Sequence, residues 1–267
     1  MPLTPVQETL FFPLMGRADS ARRWPELFAD PWAEQAARIR SAAGSSAEQL
    51  GRGPAMVYGL RHLLTVTEVN RYVAEHPGAA VVNIGCGLDR LAPEVSDESS
   101  PVYNLDFPDV LEMRRQWVEP SEREVDLPYS LTDHAWLDRV DASRGVIAVA
   151  PGVMYYVEIA DARDLVRAMG ERFPGGRFCY DAESPLVTAG SERQISRSGT
   201  PNARMPFRLK DPYEVRGWSD RIANVRVEFG FSSYLADRSR MPRLLRLGFT
   251  GMRLIKGMYE VVIDFAE

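Results

Sequence analysis

The stretch VVNIGCGLDR, residues 81–90, runs from an apolar, β-branched segment directly into a Gly-x-Gly turn. A short apolar run bounded by glycine reads as a buried strand, and glycines placed just after it let the main chain approach a ligand without interference from a Cβ atom. The sequence on either side sets the class of fold. From Pro77 onward, short apolar runs alternate with longer helical patterns, the signature of a parallel sheet with crossover helices. Strands are expected at AAVVNI (79–84), PVYNLDF (101–107), GVIAVA (145–150) and GRFCYDA (176–182), with VRVEFGFS (225–232) and MYEVVIDFA (258–266) closing the sheet as a pair. Helices are expected at DVLEMRRQWV (109–118), ADARDLVRAMGERF (160–173) and within RMPRLLRLGF (240–249).

Residues 1–76 show no strand pattern. DPWAEQAARIRSAA (30–43) and MVYGLRHLLTVTEVNRYVAEH (56–76) space their apolar residues as helices do, and the Ser- and Gly-rich AGSSAEQLGRGP (43–54) between them reads as a loop or hinge. The expected organisation is therefore a helical cap over residues 1–76 and a doubly wound, mostly parallel α/β core over 77–267. A polar, turn-rich segment, VTAGSERQISRSGTPNARMP (187–206), is expected as a long functional loop.

Composition narrows the partners. The 267 residues are 45% apolar and 26% charged, which suits a globular core. With 37 acidic against 32 basic residues, a net charge of -5 and no Lys/Arg block, nucleic acid is not an expected partner. No segment reads as a membrane span, and the start MPLTPVQETLFFPLMGRADS lacks the pattern of a secretory leader, so a cytoplasmic protein acting on a small molecule is expected. Cys86 and Cys179 each lie inside an apolar segment and read as reduced, buried thiols. His62, His76 and His134 are scattered without the close spacing of metal ligands, so no metal is expected.

What the turn holds follows from its neighbours. The second strand ends at Asp106, about 20 residues after the glycines, where a carboxylate accepts hydrogen bonds from both hydroxyls of a ribose. A dinucleotide turn would carry a third glycine at the position of Arg90, and no phosphate-binding loop occurs elsewhere. A nicotinamide-dependent oxidoreductase is thereby disfavoured, and an adenosine ligand without phosphate, S-adenosylmethionine, fits better.

Five ordered segments add to this: HPGAAVVNIGCGLDR (76–90), VYNLDFPDVLEMRRQ (102–116), DHAWLD (133–138), GVIAVAPGVMYYV (145–157) and FPGGRFCYDAES (173–184). In order and spacing they resemble the leucine carboxyl methyltransferase family, which includes polyketide O-methyltransferases of the tetracenomycin type. ELFADPWAEQA (26–36), GLRHLL (59–64) and LKDPYEVRGW (209–218) extend the resemblance over nearly the whole chain. It implies a class I methyltransferase fold that binds S-adenosylmethionine and methylates a carboxyl or phenolic oxygen of a small molecule. It assigns Gly85 and Gly87 to the cofactor's methionine end, Asp106 to its ribose, Arg61 to its carboxylate, and Ser130 and Leu131 to its adenine. Tyr156 is placed toward the acceptor.

Two positions depart from that pattern. Pro151 stands where the family carries an acid, and Arg90 and Leu91 follow Asp89 where the family has Thr-Arg. Pro151 motivates an alternative reading, a non-methylating relative that binds a ligand or partner or runs other chemistry on the same fold. If the site is active, a carboxylate acceptor is already ionised at neutral pH, whereas a phenol, titrating near ~10, requires a base. His134, beside Asp133, is the first candidate, and His62 the second. Acceptor walls are expected from Phe11, Phe12, Trp24 and Phe28 and from the 187–206 segment, although FFPLM (11–15) equally reads as a helix burying itself.

Overall fold

Successive residues of the first strand point to opposite faces, and both faces are covered, which is why its sequence is a continuous apolar run rather than an alternating one. Ala80, Val82 and Ile84 join one core cluster, and Val81 joins the other. The computed structural model describes residues 10–42, 50–197 and 204–267, the side chains of 194–197 excepted. Its strands are β1 (Ala80–Ile84), β2 (Val102–Asp106), β3 (Glu124–Pro128), β4 (Val146–Ala150), β5 (Arg177–Glu183), β6 (Ile222–Glu228) and β7 (Met258–Phe265). The helices are α1 (Phe11–Arg23), α2 (Pro31–Ala42), α3 (Arg52–Glu75), α4 (Pro108–Arg114), α5 (Ile159–Arg172), α6 (Pro185–Arg197) and α7 (Arg243–Leu254).

The seven strands lie in the order β3-β2-β1-β4-β5-β7-β6. β1 pairs in parallel with both β2 and β4, Val81 standing opposite Val102 on one side and Ile147 on the other, and β7 inserts antiparallel between β5 and β6. The chain winds outward from β1 to β3, returns, and winds the other way through β4 and β5. The crevice above the carboxyl ends of β1 and β4 is therefore the switch point at which such sheets bind ligands.

One face of the sheet is covered by α5, whose Leu165, Val166 and Met169 are fully buried against Val82, Ala148 and Phe178. The opposite face is covered by the carboxyl half of α3, where Val69, Tyr72 and Val73 pack on Val81, Val149, Cys179 and Val262. Leu165→Ala opens a cavity at the centre of the first layer and is expected to cost about 3 kcal/mol of stability, read as a lower urea midpoint with an unchanged slope. The amino half of α3 packs instead on α1 and on the segment around Phe231 and Met241.

Cys86 and Cys179 are buried free thiols. No helix among the described residues is long and apolar enough to cross a membrane. Three sequence expectations are corrected. β3 is a strand that sequence reading leaves out, because it is a polar edge whose Leu127 alone is buried. The expected loop 187–206 is helical as far as Arg197 in α6, and 198–203 lie outside the described residues. Small and polar residues there suggest turns, but fully buried Thr188 bonds back to the carbonyls of Glu183 and Ser184 and ties the helix to β5, so tertiary contact overrides propensity. Of the expected hinge 43–54, residues 43–49 lie outside the described residues, while Arg52–Pro54 already form the first turn of α3.

Away from the crevice, the Tyr234 hydroxyl lies between the buried carboxyls of Glu68 and Glu260, with Arg226 on Glu68. Burial, reinforced by the neighbouring Glu68, raises the Glu260 carboxyl from 4.5 to about 8, against the opposing pull of Tyr234 and Arg226. Between these two values the unfolded chain has released a proton that the folded chain keeps. Stability is therefore expected to fall as pH rises from about 4.5 to 8 and then level off. Glu260→Gln should flatten that slope in urea titrations run at successive pH values.

Candidate active site

β1 ends in two glycines with left-handed backbone, Gly85 at φ 64° and Gly87 at φ 47°, a conformation L side chains rarely adopt. A Cβ on Gly85 would also lie 2.4 Å from Val153 Cγ2, so the turn is closed to any larger residue. Its shape is set by Asp106 at the end of β2. The Gly87 amide donates to Asp106 Oδ2 and the Phe107 amide to Oδ1, each at 2.8 Å. Each oxygen keeps acceptor capacity toward the crevice. Burial raises the Asp106 carboxyl above its usual range, and the two backbone donors oppose that.

From the other side the turn is held by the helices. Arg17 of α1 pairs with Asp30 at 2.5 Å and with Asp89, and the Trp32 indole donates to the Leu88 carbonyl at 2.9 Å. Arg114 of α4 donates to the carbonyls of Gly87 and Asp89. The cation facing Asp89 is thus Arg17, from a distant helix rather than from the residues that follow the turn. Burial opposes ionisation of Asp89, but Arg17 and His62 outweigh it and lower its pKa to about 2.

A second cluster sits at the ends of β4 and β5. Asp181, buried on β5, accepts from the Gly152 amide (2.7 Å), the Tyr155 hydroxyl (2.6 Å) and Arg61 Nε (2.8 Å). The turn that follows Pro151 is therefore anchored by a carboxylate from the adjacent strand. Arg61 Nη2 also donates to Tyr155 at 3.2 Å, while Nη1 carries no hydrogen bond to a described residue. Burial disfavours the Arg61 cation, yet Asp181 more than restores it and raises its pKa.

These parts surround one cavity of about 1230 Å³, larger than the ~300–1,000 Å³ that a single drug-sized ligand fills. Arg61, Gly85, Gly87, Asp106, Ser130, Leu131 and Tyr156 all line it. His134 does not: it opens the short helical turn His134–Arg139 behind Asp133, outside the lining. His62 lines the cavity but is engaged by the Glu94 carboxylate at 2.8 Å. Of the aromatic residues expected as acceptor walls, Phe12 lines the cavity, whereas Phe11, Trp24 and Phe28 are buried in the packing of the helices. Sequence reading missed Arg17, Asp181 and Glu183. YDAE (180–183) does carry two acids at strand spacing next to the crevice, which is the available signal for the last two.

Comparison with known proteins agrees with this geometry. The chain is 30% identical over 184 residues to the tetracenomycin polyketide synthesis O-methyltransferase TcmP of Streptomyces glaucescens, a match covering 68% of each chain. No family model matches the chain. Among solved structures, a candidate methyltransferase from Thermobifida fusca aligns with a TM-score of 0.57 at 15% identity, over 88% of this chain and 89% of that one. A DUF574 family protein from Streptomyces avermitilis aligns with a TM-score of 0.54 at 14% identity, over 93% and 96%. The fold is that of the class I, S-adenosylmethionine-dependent methyltransferases. Within that class the chain belongs to the tetracenomycin-type O-methyltransferase family and is an enzyme that transfers methyl groups; the non-methylating alternative is not favoured.

Proposed function

We propose that the enzyme methylates a carboxyl or phenolic oxygen of a small, polyketide-like molecule, with residues 1–76 as a helical cap over the 77–267 core, and that it does so in the cytoplasm. The observation that carries this reading is the large cavity that is lined both by Asp106 and the glycine turn and by apolar residues of α6 and α7, Val187, Phe249 and Met252. The residues present fit S-adenosylmethionine. Asp106 keeps acceptor capacity for two ribose hydroxyls, Leu131 and Ser130 line the same cavity, and Arg61 Nη1 makes no hydrogen bond to a described residue and can meet a carboxylate. When bound, the cofactor supplies an electrophilic methyl group on sulfur.

The protein's part is alignment and exclusion of water, because in-line displacement needs the acceptor oxygen, methyl carbon and sulfur on one axis. Gly85 and Gly87 bring main chain to the cofactor's methionine end, and Arg61 fixes its carboxylate with a charge-assisted bond. Tyr156, half exposed on the cavity wall, faces the acceptor. The test is calorimetric titration with S-adenosylhomocysteine. Micromolar binding is expected, and no heat up to millimolar ligand would reject the reading. A smaller effect is expected at the turn: Gly87→Ala, which introduces strain without a clash since the nearest atom is Leu10 Cδ2 at 3.7 Å, should weaken binding about tenfold in the same titration.

A further inference from the structure

Most large apolar side chains of this protein are covered, but α7 and its carboxyl end leave Leu244, Leu247, Leu254 and Ile255 between 58% and 83% exposed. The helix has three sides. At about 100° per residue, Leu245, Phe249 and Met252 fall together, and they pack on the cluster that holds Leu60, Phe231 and Met258. Leu244, Leu247 and Leu254 form a second side, with Gly248 and Gly251 between them, where an added Cβ would meet nothing within 4 Å. Arg243, Arg246 and Arg253 border that ridge on its other flank, and α7 contains no acidic residue.

The charge is local. From Arg238 to Lys256 the chain carries six basic residues and no acid, although its net charge is -5. The ridge also adjoins the site. α7 supplies Gly248, Phe249 and Met252 to the cavity wall, and α6 supplies Val187. A Cβ on Gly257 would touch both Met252 and Val187, so the start of α6, with Leu186 at 77% exposure, stands at the same end of α7.

Shape and charge together select the partner. The leucines project from a convex helix, so a protein would have to bring a groove cut to fit them, whereas a bilayer interface takes up projecting apolar side chains without any matching shape. A second copy docked ridge to ridge across a two-fold axis would set arginines against arginines. Lipid phosphates instead complement the guanidinium flank, whose long stems reach the headgroups while the leucines enter the acyl boundary. With 12 residues, α7 is too short to cross a bilayer and long enough to lie along one.

We propose that α7 is an interfacial helix that docks the enzyme onto an anionic lipid surface, leucine ridge inward and arginines on the phosphates. Docking holds the cavity wall beside the membrane, where apolar molecules concentrate. That consequence for acceptor capture rests on the O-methyl transfer proposed above; the docking itself does not.

The test is co-sedimentation of the whole chain with vesicles of phosphatidylcholine alone or with about one third phosphatidylglycerol. Binding is expected to be at least tenfold stronger on the anionic vesicles and to weaken as salt rises from about 0.1 M to 1 M. Leu244→Ser with Leu247→Ser should lower it at least tenfold, and Arg246→Glu with Arg253→Glu should abolish the preference for anionic lipid. Both pairs alter exposed side chains outside the cavity lining, so urea midpoints and S-adenosylhomocysteine affinity should match the unaltered chain. No binding to anionic vesicles, or binding that survives the serine pair, would overturn the proposal. So would a dimer in sedimentation velocity that the serine pair dissociates, which would assign the ridge to a second copy. Loss of S-adenosylhomocysteine binding in the unaltered chain would defeat the methyl-transfer reading and leave the docking standing.

Discussion

Asp106→Ala is expected to weaken binding of S-adenosylmethionine and S-adenosylhomocysteine about 100-fold or more, the largest loss of affinity from any single change at the site. Two hydrogen bonds from ribose hydroxyls to an ionised acceptor contribute roughly 1.5–3 kcal/mol each, and losing both exceeds two decades in affinity. The substitution acts twice, because Asp106 also accepts the amides of Gly87 and Phe107 and so holds the turn in its binding shape. Asp106→Asn separates the two effects. It preserves one acceptor oxygen and should retain more affinity than alanine, with urea midpoints reporting whether the turn has loosened. Unchanged affinity in Asp106→Ala would remove the ribose from this end of the cavity.

The strands that carry this site were legible in the sequence because they are buried on both faces, so that VVNI, VYNL and VIAV read as apolar runs regardless of what covers them. The glycine turn and Asp106 were legible for a related reason: a left-handed turn restricts the residue type, and an acid at the end of the next strand has few structural uses. Residues whose roles depend on long-range contact were not legible. Arg17 reaches Asp89 across 72 positions and Asp181 reaches Arg61 across 120, and no local spacing encodes either pair. β3 escaped because an edge strand with one buried side chain has no apolar pattern, and α6 because Thr188 and Ser191 are drawn into the helix by β5 rather than by intrinsic preference. His134 attracted notice through its neighbour in sequence, yet it is not among the residues that line the cavity.

The departure at Pro151 has a structural answer in Asp181, and that answer predicts a large loss of stability. Proline at 151 supplies neither a side-chain acceptor nor a backbone donor. The following turn is tied instead through the Gly152 amide to Asp181, which also neutralises Arg61 and receives the Tyr155 hydroxyl. Asp181→Ala leaves the largely buried Arg61 guanidinium, 16% exposed, without its counter-charge and strands two further donors, so it is expected to cost about 3 kcal/mol of stability and to weaken cofactor binding as Arg61 loses its fixed geometry. The paired variant Arg61→Met with Asp181→Leu removes both charges and should recover most of that stability in urea unfolding, since a buried ion pair replaced by apolar side chains is often neutral. Cofactor binding should stay lost in the pair, because the arginine that meets the carboxylate is gone. If the double variant instead bound S-adenosylhomocysteine normally, Arg61 and Asp181 would be a packing element only, and the carboxylate would have to be held by main-chain amides of the Gly85–Gly87 turn.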